Sequence, residues 1–315
     1  MIEYRAFRNT DPPHLVDIWN QQVSWPGLMQ PLTLELLDSE VLSKPFFDRQ
    51  GLIVAVENQT PIGFIHAAFG PTDDGNRLDC RVGVICLLMV RPDKSSAIVA
   101  RELIAHAERY LVQYGAESFQ GGAASPRAPF YEGLYGGALC PGVVAEDHQL
   151  INALEAAGYQ FRQRRTVMRC SAAAVRPVID RNTMQVRRSC QVQTMIDPPS
   201  ASWWEACTDA WQQRFRFMAR ARADGRELAH ITFRNTPVAN RPGAAAGLSQ
   251  WRVFDADNQE SLVLFLLGEA IRQLRSEGIE AIEAHVGPDQ ESLAETLERL
   301  RFSEVGQGLI FSRSA

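Results

Sequence analysis

Two stretches of the chain bring together residue types that can do chemistry. In Phe130-Tyr131-Glu132-Gly133-Leu134-Tyr135-Gly136-Gly137, two phenols and a carboxylate fall within eight residues. A phenol, with a pKa of about 10, keeps its proton at neutral pH and can hand it to a leaving group. The same aromatic and glycine residues also suit a tight loop packed against its neighbours, and Glu132 reads as a solvated loop carboxylate. The second stretch is Lys94 to Arg101, which opens a helical pattern. Successive backbone N–H groups at a helix N-terminus offer unpaired donors and a positive dipole end to a pyrophosphate. Ser95 and Ser96 either add hydroxyl donors or simply cap the helix. Ile98 obstructs close approach of a phosphate unless its side chain turns inward.

Other candidates are weaker. The six histidines (14, 66, 106, 148, 230 and 285) show no metal-ligand spacing, so no metal is expected. His66 is a poorer candidate base than an ordered water. Trp204, Cys207 and Trp211 form a helical stripe that suits core packing better than a ligand cage. Arg214, Arg216, Arg220 and Arg222 alternate with apolar residues, the period of a strand with one solvated face. A net charge of −5 argues against a nucleic-acid surface. The six scattered cysteines, without a C-x-x-C pair, read as reduced thiols in a cytoplasmic protein. With 45% hydrophobic and 22% charged residues and no long apolar run, neither a membrane span nor a secretory signal is expected.

The elements that must position these residues occur twice. At 315 residues the chain exceeds the usual size of one core, and two domains are expected. Val82 to Val90 is almost continuously apolar and reads as a buried strand, followed by a helix from about Ser95 to Tyr114. Leu248 to Phe254 and Gln259 to Glu277 repeat that order. Leu103, Ala107, Leu111 and Gly115 match Leu266, Ala270, Leu274 and Gly278 at a constant offset. Both helices thus show the stripe of a face packed on a sheet and close on a glycine. Short strands follow at Ser118 to Gly121 and Ala281 to Val286. Further helices end in Leu154-x-x-x-Gly158-Tyr159 and Leu297-x-x-x-Arg301-Phe302, and final strands lie at Thr166 to Arg169 and Leu309 to Ser312. The offset drops by about twenty residues between these last helices, so the first copy carries an insertion within 122–148.

The front halves agree more loosely. Each has a short strand (Ile2 to Phe7; Gln185 to Val192), a helix and a hairpin. The hairpins are Leu52 to Val56 with Ile62 to Phe69, and Phe217 to Arg222 with Leu228 to Phe233. The expected domains are 1–171 and 184–315, with a linker over 172–183.

This order of elements, with Val90-Arg91-Pro92-Asp93 ending the long strand and Leu103-Ile104 in the following helix, resembles the GNAT superfamily of acyl-CoA-dependent N-acyltransferases, in a tandem form. The resemblance implies two α/β domains, each with a mixed, mostly antiparallel sheet and helices on both faces. It also implies acetyl-CoA as co-substrate. By matching position, its cofactor contacts fall on Leu88, Met89 and Val90 and on the loop Ser95, Ser96, Ala97, Ile98, Val99, Ala100 and Arg101. A backbone N–H of Met89 or Val90 takes the role of polarising the thioester carbonyl. The motif is degenerate, with Ser95, Ile98 and Ala100 standing where Arg or Gln, Gly, and Gly or Ala are usual. The family's thiolate acid is often a Tyr near the start of the last helix, and Leu154 holds that place here. Tyr131 or Tyr135 of the insertion could reach the thioester sulfur instead. In the second copy Asp255-Ala256-Asp257-Asn258-Gln259-Glu260 puts carboxylates where the pyrophosphate would lie, so that copy is expected to shape the structure or the acceptor pocket. The implied activity is N-acetyl transfer to an amine of a small molecule or peptide. The competing expectation is a non-catalytic GNAT-like binding or regulatory module, and the acceptor and oligomeric state carry no sequence signature.

Overall fold

The computed structural model describes residues 1–92, 96–176, 178–209, 212–236, 244–254 and 259–315. In chain order the first half has β1 (Ile2–Ala6), α1 (Pro12–Asn20), α2 (Leu34–Leu37), β2 (Leu52–Glu57), β3 (Thr60–Pro71), β4 (Leu78–Val90), α3 (Ser96–Gln113), β5 (Ser118–Gly121), β6 (Val143–Val144), α4 (His148–Ala156) and β7 (Gln160–Ser171). The second half has α5 (Arg181–Ser189), β8 (Cys190–Ile196), α6 (Trp203–Thr208), β9 (Arg214–Ala221), β10 (Glu227–Thr236), β11 (Ala244–Val253), α7 (Gln259–Ser276), β12 (Ile279–Val286), α8 (Glu291–Arg299) and β13 (Ser303–Ser314).

The chain packs as two units that are not contiguous in sequence. Unit 1 is Met1–Arg165, Ser200–Ala210 and Gln307–Ala315, and unit 2 is Thr166–Pro199 and Trp211–Gly306. In unit 1 the strands follow the order β1-β2-β3-β4-β5-β13, with β6 also on β13. β1 to β4 are antiparallel neighbours, and β4 and β5 are parallel. Ile65, Ala67 and Phe69 of β3 share a core with Val99, Leu103 and Ala107 of α3 and Leu150 and Leu154 of α4. Strand alternation therefore turns Phe64 and His66 to the opposite face of the sheet.

Unit 2 has the order β7-β12-β11-β10-β9-β8. Leu266, Ala270 and Leu274 of α7, the stripe read from the sequence, are fully buried against Phe217, Phe233 and Ile282.

The last strands are exchanged between the copies. Residues of β13, which end the second sequence copy, pair antiparallel with β5 of unit 1, from Phe311↔Gly121 to Ser314↔Ser118. The end of β7, which closes the first copy, pairs antiparallel with β12 of unit 2, from Ala281↔Ser171 to Val286↔Thr166. Both sheets thus receive a strand in the same orientation beside the same element, so either copy's strand satisfies the backbone pairing.

Three expectations need correction. Gln185 to Val192 is not one strand, because α5 runs to Ser189 before β8 begins. Its start is a capping box in which Thr183 N–H donates to Asp180 Oδ1 and Asp180 N–H to Thr183 Oγ1. The arginine row is not uniformly solvated, since Arg214 is buried and donates to the Pro198 carbonyl. Of the Trp204–Cys207–Trp211 stripe, Trp211 lies outside the described residues, and Trp204 stacks on Phe46 with ring centroids 4.7 Å apart.

Candidate functional site

The central feature is a place in unit 1 where the sheet opens. β4 and β5 are in register only from Val82↔Ser118 to Ile85↔Gly121, and Gly122 N–H donates to the Ile85 carbonyl at the last rung. Opposite, His66 pairs with Leu87 but Ala67 with Ile85, which leaves Cys86 as the extra residue of a β-bulge in β4. From Cys86 to Val90, β4 keeps β3 on one side and has no strand partner on the other among the described residues. Arg91 N–H donates to Ile62, so main-chain alternation sends the polar groups of Leu88 and Val90 to the open side and those of Met89 toward β3. Of the two residues assigned a carbonyl-polarising N–H, Val90 faces the opening and Met89 does not.

On the face away from α3, the bulge sits beside a buried imidazole–phenol pair. His66 is fully buried, and its Nδ1 lies 3.0 Å from the Tyr131 hydroxyl. The ring stacks on Phe130 at 4.3 Å, and Trp19 of α1 stacks on Tyr131 at 5.9 Å. His66 Nε2 is buried without a hydrogen-bond partner. Burial drives the imidazole pKa down to about 3, so the ring is neutral at physiological pH. Burial, with Cys86 and Cys140 nearby, holds the Tyr131 phenol well above its ordinary value, and burial also raises the Cys86 thiol. Tyr131 has φ of 68°, a left-handed conformation rare for a bulky residue. Its carbonyl anchors the turn by accepting from Leu134 and Tyr135 N–H. The loop docks through glycine: Gly136 and Gly137 N–H both donate to Gly27 O, and a Cβ on Gly27 would meet Gly136 at 2.8 Å.

Tyr135 is only four residues away but has a different task. Its hydroxyl donates to Asp147 Oδ2 at 2.7 Å and accepts from Val144 N–H, while Asp147 Oδ1 caps α4 by accepting from Leu150 N–H. Burial raises the Asp147 pKa against these two donors. Tyr135 therefore fixes the start of α4, and the two phenols of the motif are not interchangeable. Glu132 is half-buried rather than solvated. Leu154 is wholly buried in the core.

The proposed phosphate loop is described in part. Ser95 lies outside the described residues, as do Asp93 and Lys94. Ser96 begins α3, Ala97 and Ile98 are exposed, and Val99 and Ala100 point into the core. Ile98 is 59% exposed, so its side chain turns outward at the first helical turn, not inward as close phosphate approach requires. Arg101 is exposed and ion-pairs with Glu102. In unit 2 the corresponding residues 255–258 lie outside the described residues. There β11 and β12 stay in register to Gly247↔Glu283, and Glu283 is held by Arg169 at 2.6 Å and His285 at 3.2 Å.

The sequence reading missed Gln149 and Gln22, whose side chains meet Val90, and gave His66 little weight. No local pattern marks any of them, because each contact joins residues distant along the chain. Among the described residues no group of three or more His, Cys, Asp or Glu is arranged to hold a metal ion, and no helix is long and apolar enough to cross a membrane.

No family model matches the sequence, and no curated protein matches it. Solved structures do. The chain is similar to the GCN5-related glucosamine N-acetyltransferase region of a fungal multi-domain GH3 β-N-acetylglucosaminidase, with a TM-score of 0.72 and 16% identity over 99% of this chain; it spans only 38% of that chain. It is similar to a tandem GNAT protein from the clavulanic acid biosynthesis pathway, with a TM-score of 0.66 and 12% identity over 100% of this chain and 98% of that one. It is also similar to Saccharomyces cerevisiae N-myristoyltransferase with bound myristoyl-CoA, with a TM-score of 0.58 and 11% identity over 99% of this chain and 79% of that one. At such identities the likeness defines the fold, which is GNAT-like. One of these matches, along both full lengths, is to a tandem GNAT protein, in keeping with two GNAT-like copies in this chain.

Proposed function

We propose that this protein is an acyl-CoA-dependent N-acyltransferase whose transfer site lies in unit 1, with acetyl-CoA as donor and an amine of a small molecule or peptide as acceptor. The observation that carries the reading is the coincidence of three features: the end of the β4–β5 ladder at Ile85, the bulge at Cys86, and the buried His66–Tyr131 pair. An extended ligand arm carrying amides can pair with the main chain of Leu88 and Val90 as a strand would. The N–H groups of the first turn of α3, from Ser96 to Ile98, offer the dipole end to its pyrophosphate. Coenzyme A supplies both parts, together with the activated acyl thioester.

In this reading Leu88 N–H, on the same open side of β4 as Val90 and nearer the bulge, steadies the developing charge on the thioester oxygen, while Val90 pairs with the arm. The amine nitrogen bonds to the acyl carbon, the C–S bond breaks, and the amine's proton leaves through water. Tyr131 returns a proton to the departing sulfur. Burial raises the phenol, but it raises a thiol in the same surroundings too, as at Cys86, so the transfer stays between groups shifted the same way. His66, held neutral, orients the Tyr131 hydroxyl through Nδ1. Tyr135 positions α4. Unit 2 is assigned no donor site.

The test is release of free CoA thiol from acetyl-CoA with a panel of amino sugars, amino acids, polyamines and peptide N-termini. Turnover with any amine that is abolished by Tyr131→Phe supports the reading. A second reading, a GNAT-like module that binds without transfer, is favoured by the outward Ile98. No binding of acetyl-CoA or CoA at millimolar ligand would select it.

A further inference from the structure

Val90 is where β4 has lost its strand neighbour, yet its main chain is not open there. Val90 N–H donates to Gln149 Oε1 at 2.8 Å, and the Val90 carbonyl accepts from Gln149 Nε2 at 3.4 Å and from Gln22 Nε2 at 3.3 Å. One carboxamide thus meets both polar groups of one residue, as the N–H and C=O of a facing residue in an adjacent antiparallel strand would. We propose that the Gln149 side chain is a built-in substitute for a ligand amide: it closes the free edge of β4 in the unliganded protein and swings aside when a secondary amide of the pantetheine arm takes Val90. This rests on the acyl-CoA reading above.

The surroundings allow the exchange. Gln149 is the second residue of α4, whose backbone is pinned by the Asp147 cap and, through it, by Tyr135. Only side-chain torsions need to change. Gln149 is half-buried, so its amide has water to turn toward. The Val90 carbonyl keeps Gln22 when Gln149 leaves, and Gln22 is itself placed by its bond to Ile18 O and by Gln30 Nε2 on its carbonyl. Only the N–H changes partner, and that is the group a ligand carbonyl would accept from. A mere structural cap predicts the same contacts, but not that removing it strengthens binding of an amide-bearing ligand.

Calorimetric titration of wild type, Gln149→Ala and Gln149→Glu with CoA, with pantetheine and with adenosine 3′,5′-diphosphate separates the cases. Gln149→Ala should bind CoA and pantetheine up to about ten-fold more tightly, since the ligand no longer displaces an existing hydrogen bond, and should bind the nucleotide unchanged. Gln149→Glu keeps the acceptor for Val90 N–H and should bind CoA no more tightly than wild type. Hydrogen exchange at the Val90 amide should quicken in unliganded Gln149→Ala and slow again with CoA. Equal or weaker CoA binding by Gln149→Ala overturns the substitute role and leaves the acyl-CoA reading standing. A gain of the same size for the nucleotide alone also overturns it. Absence of CoA binding by every variant overturns the acyl-CoA reading and this inference with it.

Discussion

Replacing His66 with Asn should remove a pH-dependent part of the stability of unit 1. The wild-type imidazole is buried with its pKa near 3, whereas in the unfolded chain it titrates at about 6.5. Between these values the unfolded state binds a proton that the folded state refuses, so stability rises with pH across that window and is lost on acidification. At pH 5 the unfolded histidine is almost fully charged, and the lost stability works out at about 2 kcal/mol relative to pH 8. Asn places a carboxamide oxygen near the Nδ1 position, keeps a partner for the Tyr131 hydroxyl and does not titrate. Other groups titrate alike in both proteins and cancel in the difference. Urea unfolding followed by fluorescence, with Trp19 stacked on Tyr131, is the assay. With a slope of about 2 kcal/mol/M, the wild-type midpoint should approach or fall below that of His66→Asn by about 1 M between pH 8 and pH 5. If the two midpoints move in parallel over that range, His66 is not the buried neutral group described.

Tyr135→Phe should cost about 1–3 kcal/mol of stability, because it orphans Val144 N–H and strips a donor from buried Asp147; Tyr131→Phe should cost less stability and far more turnover, and melting curves beside thiol-release rates check the split. Ile98→Gly should strengthen CoA binding despite a helix penalty of about 1 kcal/mol, since it clears the first turn of α3, and calorimetry reads the sign directly. Glu283→Gln should destabilise unit 2 by about 1–3 kcal/mol by removing the charge partner of the partly exposed Arg169, seen as a lower urea midpoint. Glu283 has a depressed pKa, through His285 and Arg169 working against its burial. Its contribution is therefore present above the ordinary glutamate range and lost as pH falls through the folded value, so wild type and Glu283→Gln should converge in acid.

The fold was legible where period and length agreed. The stripes Leu103–Ala107–Leu111 and Leu266–Ala270–Leu274 became the buried faces of α3 and α7, and the apolar run to Val90 became β4. The exchange of β7 and β13 was not legible, because Thr166 to Arg169 and Leu309 to Ser312 carry equivalent patterns and either sheet can pair with either strand. Helix α5 was missed although Asp180 and Thr183 stand at capping-box spacing, since β8 follows it without a break. At the site, the sequence singled out Tyr131 and Tyr135 but could not separate them. Their roles depend on partners 65 residues away at His66 and 12 away at Asp147. Gln149 reaches Val90 across 59 residues, a contact made only when β4 and β5 part and α4 is capped beside the gap.

The claim that the opened edge of β4 in unit 1 is the acyl-CoA site is tested most directly by amide chemical shifts during titration with acetyl-CoA. Saturable changes confined to Leu88, Val90, Gln149 and the first turn of α3 are expected, with β11 and β12 of unit 2 unmoved. Shifts centred on β11 and β12, or none at saturating acetyl-CoA, would contradict it.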